Sequence, residues 1–126
     1  HGMSRPMGAM FHIPHGLSNA MLLPAVTAWS VDENQDRYAN CARIMGMCDD
    51  SKDDKQAVDA LVRELKALNR DLSVPNPAEY GIKESTWFDS LEIMAEQALV
   101  SGSPANNPKI PSSDEIMDLY KQVWAA

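Results

Sequence analysis

Apolar residues recur at helical spacing along most of the chain, and nowhere do apolar and polar residues alternate over the length of a strand. This pattern predicts an all-helical protein. A short first helix is expected between His1 and Phe11 despite Pro6 and Gly8, and the run His12 to Pro14 should end it. A second helix should start at His15 and continue to about Trp29. Leu17, Ala20, Met21, Leu22, Leu23, Val26 and Trp29 cover it almost all round, a sign of burial on most sides, and Pro24 should kink or split it. Asp32 or Asn34 can cap a third helix from Gln35 to Met45, with Tyr38, Ala42 and Met45 on one face and Gly46 as its stop.

Ser51 and Asp54 have the spacing of an acidic capping box for a fourth helix, which runs to about Leu72 with Val58, Leu61, Leu65 and Leu68 on one stripe. Its opposite face carries Asp59, Arg63, Glu64, Lys66 and Arg70, a solvated surface on which Asp59 and Arg63 stand at i,i+4. A loop with Pro75, Pro77 and Gly81 precedes a fifth helix, Thr86 to Val100, with Phe88, Leu91, Ala95 and Leu99 facing inward. The small, polar and proline residues of Ser101 to Pro111 form another loop. Ser112 with Glu115 then makes a standard capping box for a last helix ending near Trp124, its apolar side formed by Ile116, Leu119, Tyr120 and Val123. The expectation is a compact bundle of about six helices, with no sheet and no internal repeat.

The 126 residues suffice for one core and one domain, 1–126. A net charge of −7 disfavours a nucleic-acid partner, and the longest uncharged run, Pro6 to Val31, is too interrupted to span a membrane. Two cysteines, Cys41 and Cys48, are read as free thiols in a reducing, cytoplasmic setting. The eight methionines are read as packing.

For chemistry the sequence offers little by spacing. GxSxG, GxGxxG, the phosphate-binding GxxxxGK loop, HExxH and CxxC are all absent. All three histidines, His1, His12 and His15, lie within the first fifteen residues. On spacing alone they read equally well as local packing or as part of a ligand set, since a transition-metal site needs about three or four N, O or S donors.

The residues themselves say more than their spacing. His1-Gly-Met-Ser-Arg-Pro-Met-Gly-Ala9, followed by Ile13-Pro-His-Gly-Leu-Ser-Asn-Ala-Met-Leu-Leu-Pro24, closely resembles the metal-binding segment of the iron-containing (group III) alcohol dehydrogenases, with the pattern HxMxxPxGAxxxxPHGxxNAxLLP. The likeness continues more weakly through Arg43-Ile-Met-Gly46, Leu68-Asn-Arg-Asp-Leu72, Asn107-Pro108, Asp118-Leu-Tyr120 and Trp124.

The resemblance implies the C-terminal helical domain of a dehydroquinate synthase-like, iron alcohol dehydrogenase fold. An N-terminal dinucleotide-binding domain would lie outside this chain, which begins as if cut from something longer. It further implies a metal held by one Asp and three His. His1 and His15 match two of those histidines, so the Asp and the third His would lie upstream. The ion would be Fe(II), with Zn(II) as an alternative, beside NAD or NADP, acting on a small alcohol or aldehyde in a homo-oligomeric parent. Many family members have a histidine where this chain has Arg5. A guanidinium stays protonated and cannot relay a proton, so either another group relays it or Arg5 orients a polar substrate or the cofactor. His12 falls at a variable position and is read as lining the cleft or the surface. The competing reading is a non-catalytic helical interaction module with incidental histidines. A fragment without its partner domain is expected to leave some apolar surface near residues 1 to 24 exposed and open to self-association.

Overall fold

The computed structural model describes all 126 residues and contains no strand. Its helices are α1 (Ser4–Phe11), α2 (His15–Ser30), α3 (Gln35–Ile44), α4 (Asp54–Asp71), α5 (Glu84–Asp89), α6 (Leu91–Val100) and α7 (Ser113–Trp124), with 3-10 turns at Val31–Asn34 and Ser103–Asn106. None is long and apolar enough to cross a membrane.

Pro6 is accommodated because it lies in the first turn of α1, where a backbone N–H has no intrahelical acceptor to lose. His12 ends that helix in the left-handed region, φ 55°, with its N–H on the Gly8 carbonyl at 3.0 Å. Pro24, expected to kink or split α2, lies within one uninterrupted helix. Its missing N–H would strand the carbonyl four residues back, that of Ala20. Asn69 of α4 supplies the donor instead, its Nδ2 lying 2.8 Å from Ala20 O.

Several expected details change. Neither Asp32 nor Asn34 caps α3 through its side chain, because the chain enters through the 3-10 turn. The buried face of α3 is Ala39 and Ala42, while Met45 is exposed. The capping box of α4 is Asp53 with Gln56, whose reciprocal bonds measure 2.8 and 3.2 Å, and Ser51 bonds the Asp49 carboxylate instead. Leu68 is exposed, and Ala57 and Ala60 join Val58, Leu61 and Leu65 in the buried stripe. Asp59 pairs with Lys55 and Arg63 with Glu64, so the expected Asp59–Arg63 pair does not form.

The single helix expected over Thr86–Val100 is two. At Ser90 the N–H bonds the Trp87 carbonyl at 3.1 Å and the hydroxyl takes the Thr86 carbonyl at 2.6 Å, a tightened turn that redirects the chain and brings the helix count to seven. As a result Trp87, Met94 and Ala98 are buried, while Phe88 and Leu99 are only partly covered.

Two apolar clusters result. The larger gathers α1, α2, α6 and α7 around Trp87 and Tyr120, whose rings meet edge to face at 5.8 Å. Tyr120 donates its hydroxyl proton to the Met3 carbonyl at 2.6 Å, and Trp87 Nε1 donates to the Tyr120 carbonyl at 3.3 Å. The smaller cluster is alanine-rich, lies between α3 and α4, and includes Val31. Some apolar surface near residues 1 to 24 is left exposed, as expected, at Met10 and Leu23, while Met3, Met7, Ile13, Met21 and Leu22 are buried. The most exposed large apolar side chains are Ile44 and Val100, elsewhere on the molecule.

Candidate metal centre

Eight helical residues carry α1 about 12 Å away from His1. The left-handed turn at His12 and the polyproline-like Pro14 (φ −53°, ψ 140°) then reverse the chain and bring His15 back to the start of α1. The return runs close beside Gly8, where a Cβ would stand 3.3 Å from the Ile13 carbonyl oxygen. Two residues fourteen apart thus become neighbours.

His1 Nδ1 and His15 Nε2 approach to 3.0 Å, with ring centroids 5.1 Å apart and planes 27° from parallel. Two nitrogens bound to one ion at about 2.1 Å stand roughly 3.0 to 3.4 Å apart for angles between octahedral and tetrahedral, so this spacing suits a shared cation. Neutral imidazole nitrogens are suitable donors for Fe(II) or Zn(II). The two rings alone fall short of a ligand set, because no cluster of three or more His, Cys, Asp or Glu exists in the chain.

Each of the two histidines opens the same four-residue pattern, His1-Gly-Met-Ser4 and His15-Gly-Leu-Ser18. Both serines are fully buried, and each donates its proton to the carbonyl of its own histidine, at 2.9 Å for Ser4 and 3.0 Å for Ser18. Ser4 Oγ also lies 3.4 Å from His15 Nδ1. Neither serine stands out by composition; the repeated tetrapeptide was the signal available in the sequence.

Arg5 and His1 border a cleft of about 580 Å³. One wall is a stripe of α2 that starts a turn beyond His15, with Asn19 giving way to Leu22, Val26 and Trp29. The facing wall is the segment 103–111, expected only as a loop. It is fastened to the end of α2: Asn107 Nδ2 reaches Ser30 Oγ at 2.9 Å, and Lys109 Nζ bonds the Trp29 carbonyl at 3.3 Å while lying 4.3 Å above the Trp29 ring. Pro104 of this segment presses against Gly2, where a Cβ would come within 2.8 Å of its ring. His12 is exposed at its turn, outside the cleft and away from the imidazole pair. Burial pushes the Tyr120 phenol far above its usual value, so it stays protonated as a donor to Met3. Cys41 and Cys48 are free thiols distant in sequence from all of these residues.

Residues 1–124 match the model of the Fe-containing alcohol dehydrogenase family, C-terminal. The chain belongs to this family. Among its relatives are the lactaldehyde reductase of Escherichia coli, 32% identical over 98% of this chain, and the NADPH-dependent butanol dehydrogenase of Clostridium saccharobutylicum, 30% identical over the same share. The crystallised alcohol dehydrogenase from Oenococcus oeni superposes on 98% of the chain with a TM-score of 0.87 at 27% identity. The chain spans about a third of the length of each, 32% in all three cases. An all-helical C-terminal domain of the iron-containing alcohol dehydrogenase family is therefore the fold described above.

Proposed function

We propose that this chain is a metal-binding part of a nicotinamide-linked alcohol dehydrogenase, in which His1 and His15 supply two of the donors to Fe(II) or Zn(II). The supporting observation is the 3.0 Å approach of His1 Nδ1 to His15 Nε2. The remaining donors and the NAD or NADP fold belong to residues beyond these 126. Such an ion, when bound, polarises the oxygen of an alcohol or aldehyde so that hydride can pass to or from the nicotinamide.

The chain's own residues set limits on that site. His15 is the first residue of α2, and the His1 carbonyl accepts the first N–H groups of α1, those of Ser4 and Arg5 at 3.2 Å. Both rings therefore lie where helix ends carry partial positive charge, which opposes a cation. The donors still needed must bring negative charge, which suits a carboxylate better than a further neutral imidazole alone. Arg5, always protonated, binds an anionic or polar group of substrate or cofactor at the cleft edge and moves no proton. Leu22, Val26 and Trp29 exclude water along one side, an arrangement that fits a small aliphatic alcohol or aldehyde.

Co(II) titration of the 126-residue chain tests the reading. Weak binding is expected, lost on His1→Ala or His15→Ala, with no oxidation of a primary alcohol by this chain alone. Binding that is indifferent to both substitutions would overturn the metal site and favour a non-catalytic helical module.

A further inference from the structure

We propose that Ser4 is a positioning residue that holds the His15 ring in the form able to bind metal, an inference that rests on the two-imidazole site above. The Ser4 hydroxyl has one proton, and it is committed to the His1 carbonyl at 2.9 Å. On its remaining side the oxygen can only accept. His15 Nδ1 lies there at 3.4 Å, so the favoured tautomer carries its proton on Nδ1 and leaves Nε2 bare. Nε2 is the atom that faces His1.

The three contacts close a ring in which every donor has one acceptor. His1 Nδ1–H points to His15 Nε2, His15 Nδ1–H to Ser4 Oγ, and Ser4 Oγ–H back to the His1 carbonyl. A cation held by these two nitrogens would replace only the first link, the His1 proton being carried on its other ring nitrogen, and the two links through Ser4 would be compatible with it. Ligating histidines are commonly oriented in this way by a partner on the second nitrogen. At 3.4 Å the contact is long for a hydrogen bond, so its effect belongs at the lower end for such partners.

Ser18 provides the contrast. It is as buried as Ser4, occupies the same place in the second tetrapeptide and donates to the His15 carbonyl at 3.0 Å, with the Ser4 carbonyl 3.5 Å away. It makes no hydrogen bond to either ring. Removing it deletes a hydrogen bond of the same kind without deleting an imidazole's acceptor.

Long-range proton–nitrogen NMR of the metal-free 126-residue chain, at alkaline pH where both rings are neutral, reads the His15 tautomer directly. The unaltered chain and Ser18→Ala should carry the proton on Nδ1, and Ser4→Ala should shift it toward Nε2. Co(II) affinity should fall about tenfold in Ser4→Ala and stay unchanged in Ser18→Ala. A proton on Nε2 in the unaltered chain overturns the proposal whether or not any variant folds. So does a tautomer unmoved by Ser4→Ala, or an equal loss of Co(II) affinity in both serine variants. Indifference of Co(II) binding to His15→Ala would instead defeat the metal site, and the tautomer measurement would still decide the role of Ser4.

Discussion

Gly2 stands between a metal-binding candidate and a wall of the cleft, and it has no room for a side chain. A Cβ there would lie 2.8 and 3.0 Å from two ring atoms of Pro104, and 3.2 Å from the Ser103 Cβ. Pro104 is itself buried and cannot swing aside as a flexible side chain would. Gly2→Ala should therefore displace either the 103–106 turn or His1, at a cost of about 1 to 3 kcal/mol, the usual range for overpacking. Thermal melting and Co(II) titration together check this: the midpoint should fall, and Co(II) affinity should fall with it because the strain adjoins His1. A lowered midpoint with unchanged affinity would mean that the turn yields and the imidazole does not. The sequence displays His1 and His15 through the residues around them. It hides the tie between Gly2 and Pro104, since a small residue beside a candidate ligand looks the same whether or not something is pressed against it.

At the level of the helices, the tie between α2 and α4 depends on a donor that one proline removes and one asparagine restores. Asn69→Ala should leave the Ala20 carbonyl without its partner and cost about 1 kcal/mol. In a Pro24→Ala background the helix recovers its own N–H, and the same change at Asn69 should cost much less. Urea unfolding of the four combinations measures that coupling, and additive costs would show that the two residues act independently. The same two positions show why helix interruptions are hard to read from sequence. Pro24 suggests a break that a residue 45 positions later prevents, whereas Ser90 suggests none and makes one by turning its hydroxyl onto Thr86. Caps are legible when a single candidate exists, as with Ser112 and Glu115 of α7. Ahead of α4 the pairs Ser51–Asp54 and Asp53–Gln56 overlap, and Gln56, one methylene longer than an aspartate, is the side chain that reaches back to the cap N–H.

Across the whole molecule, stability is unevenly divided between the two apolar clusters. The one between α3 and α4 has seven buried residues, three of them alanines, against fourteen in the one around Trp87, Tyr120 and Met94, so it removes much less apolar surface from water. Amide hydrogen exchange should therefore be faster in α3 and in the first half of α4 than in α6 and α7, with the histidine pair retained while the α3–α4 hairpin opens. Uniform protection across all four helices would contradict this division. The hydroxyl of Tyr120 on the Met3 carbonyl joins positions 117 apart, so the residues around His1 are clasped by a helix that leaves the ribosome after nearly everything else described above. The Met3 carbonyl, two residues from His1, therefore gains this partner only once residue 120 has been translated, so the surroundings of the imidazole pair are completed late in the synthesis of this segment.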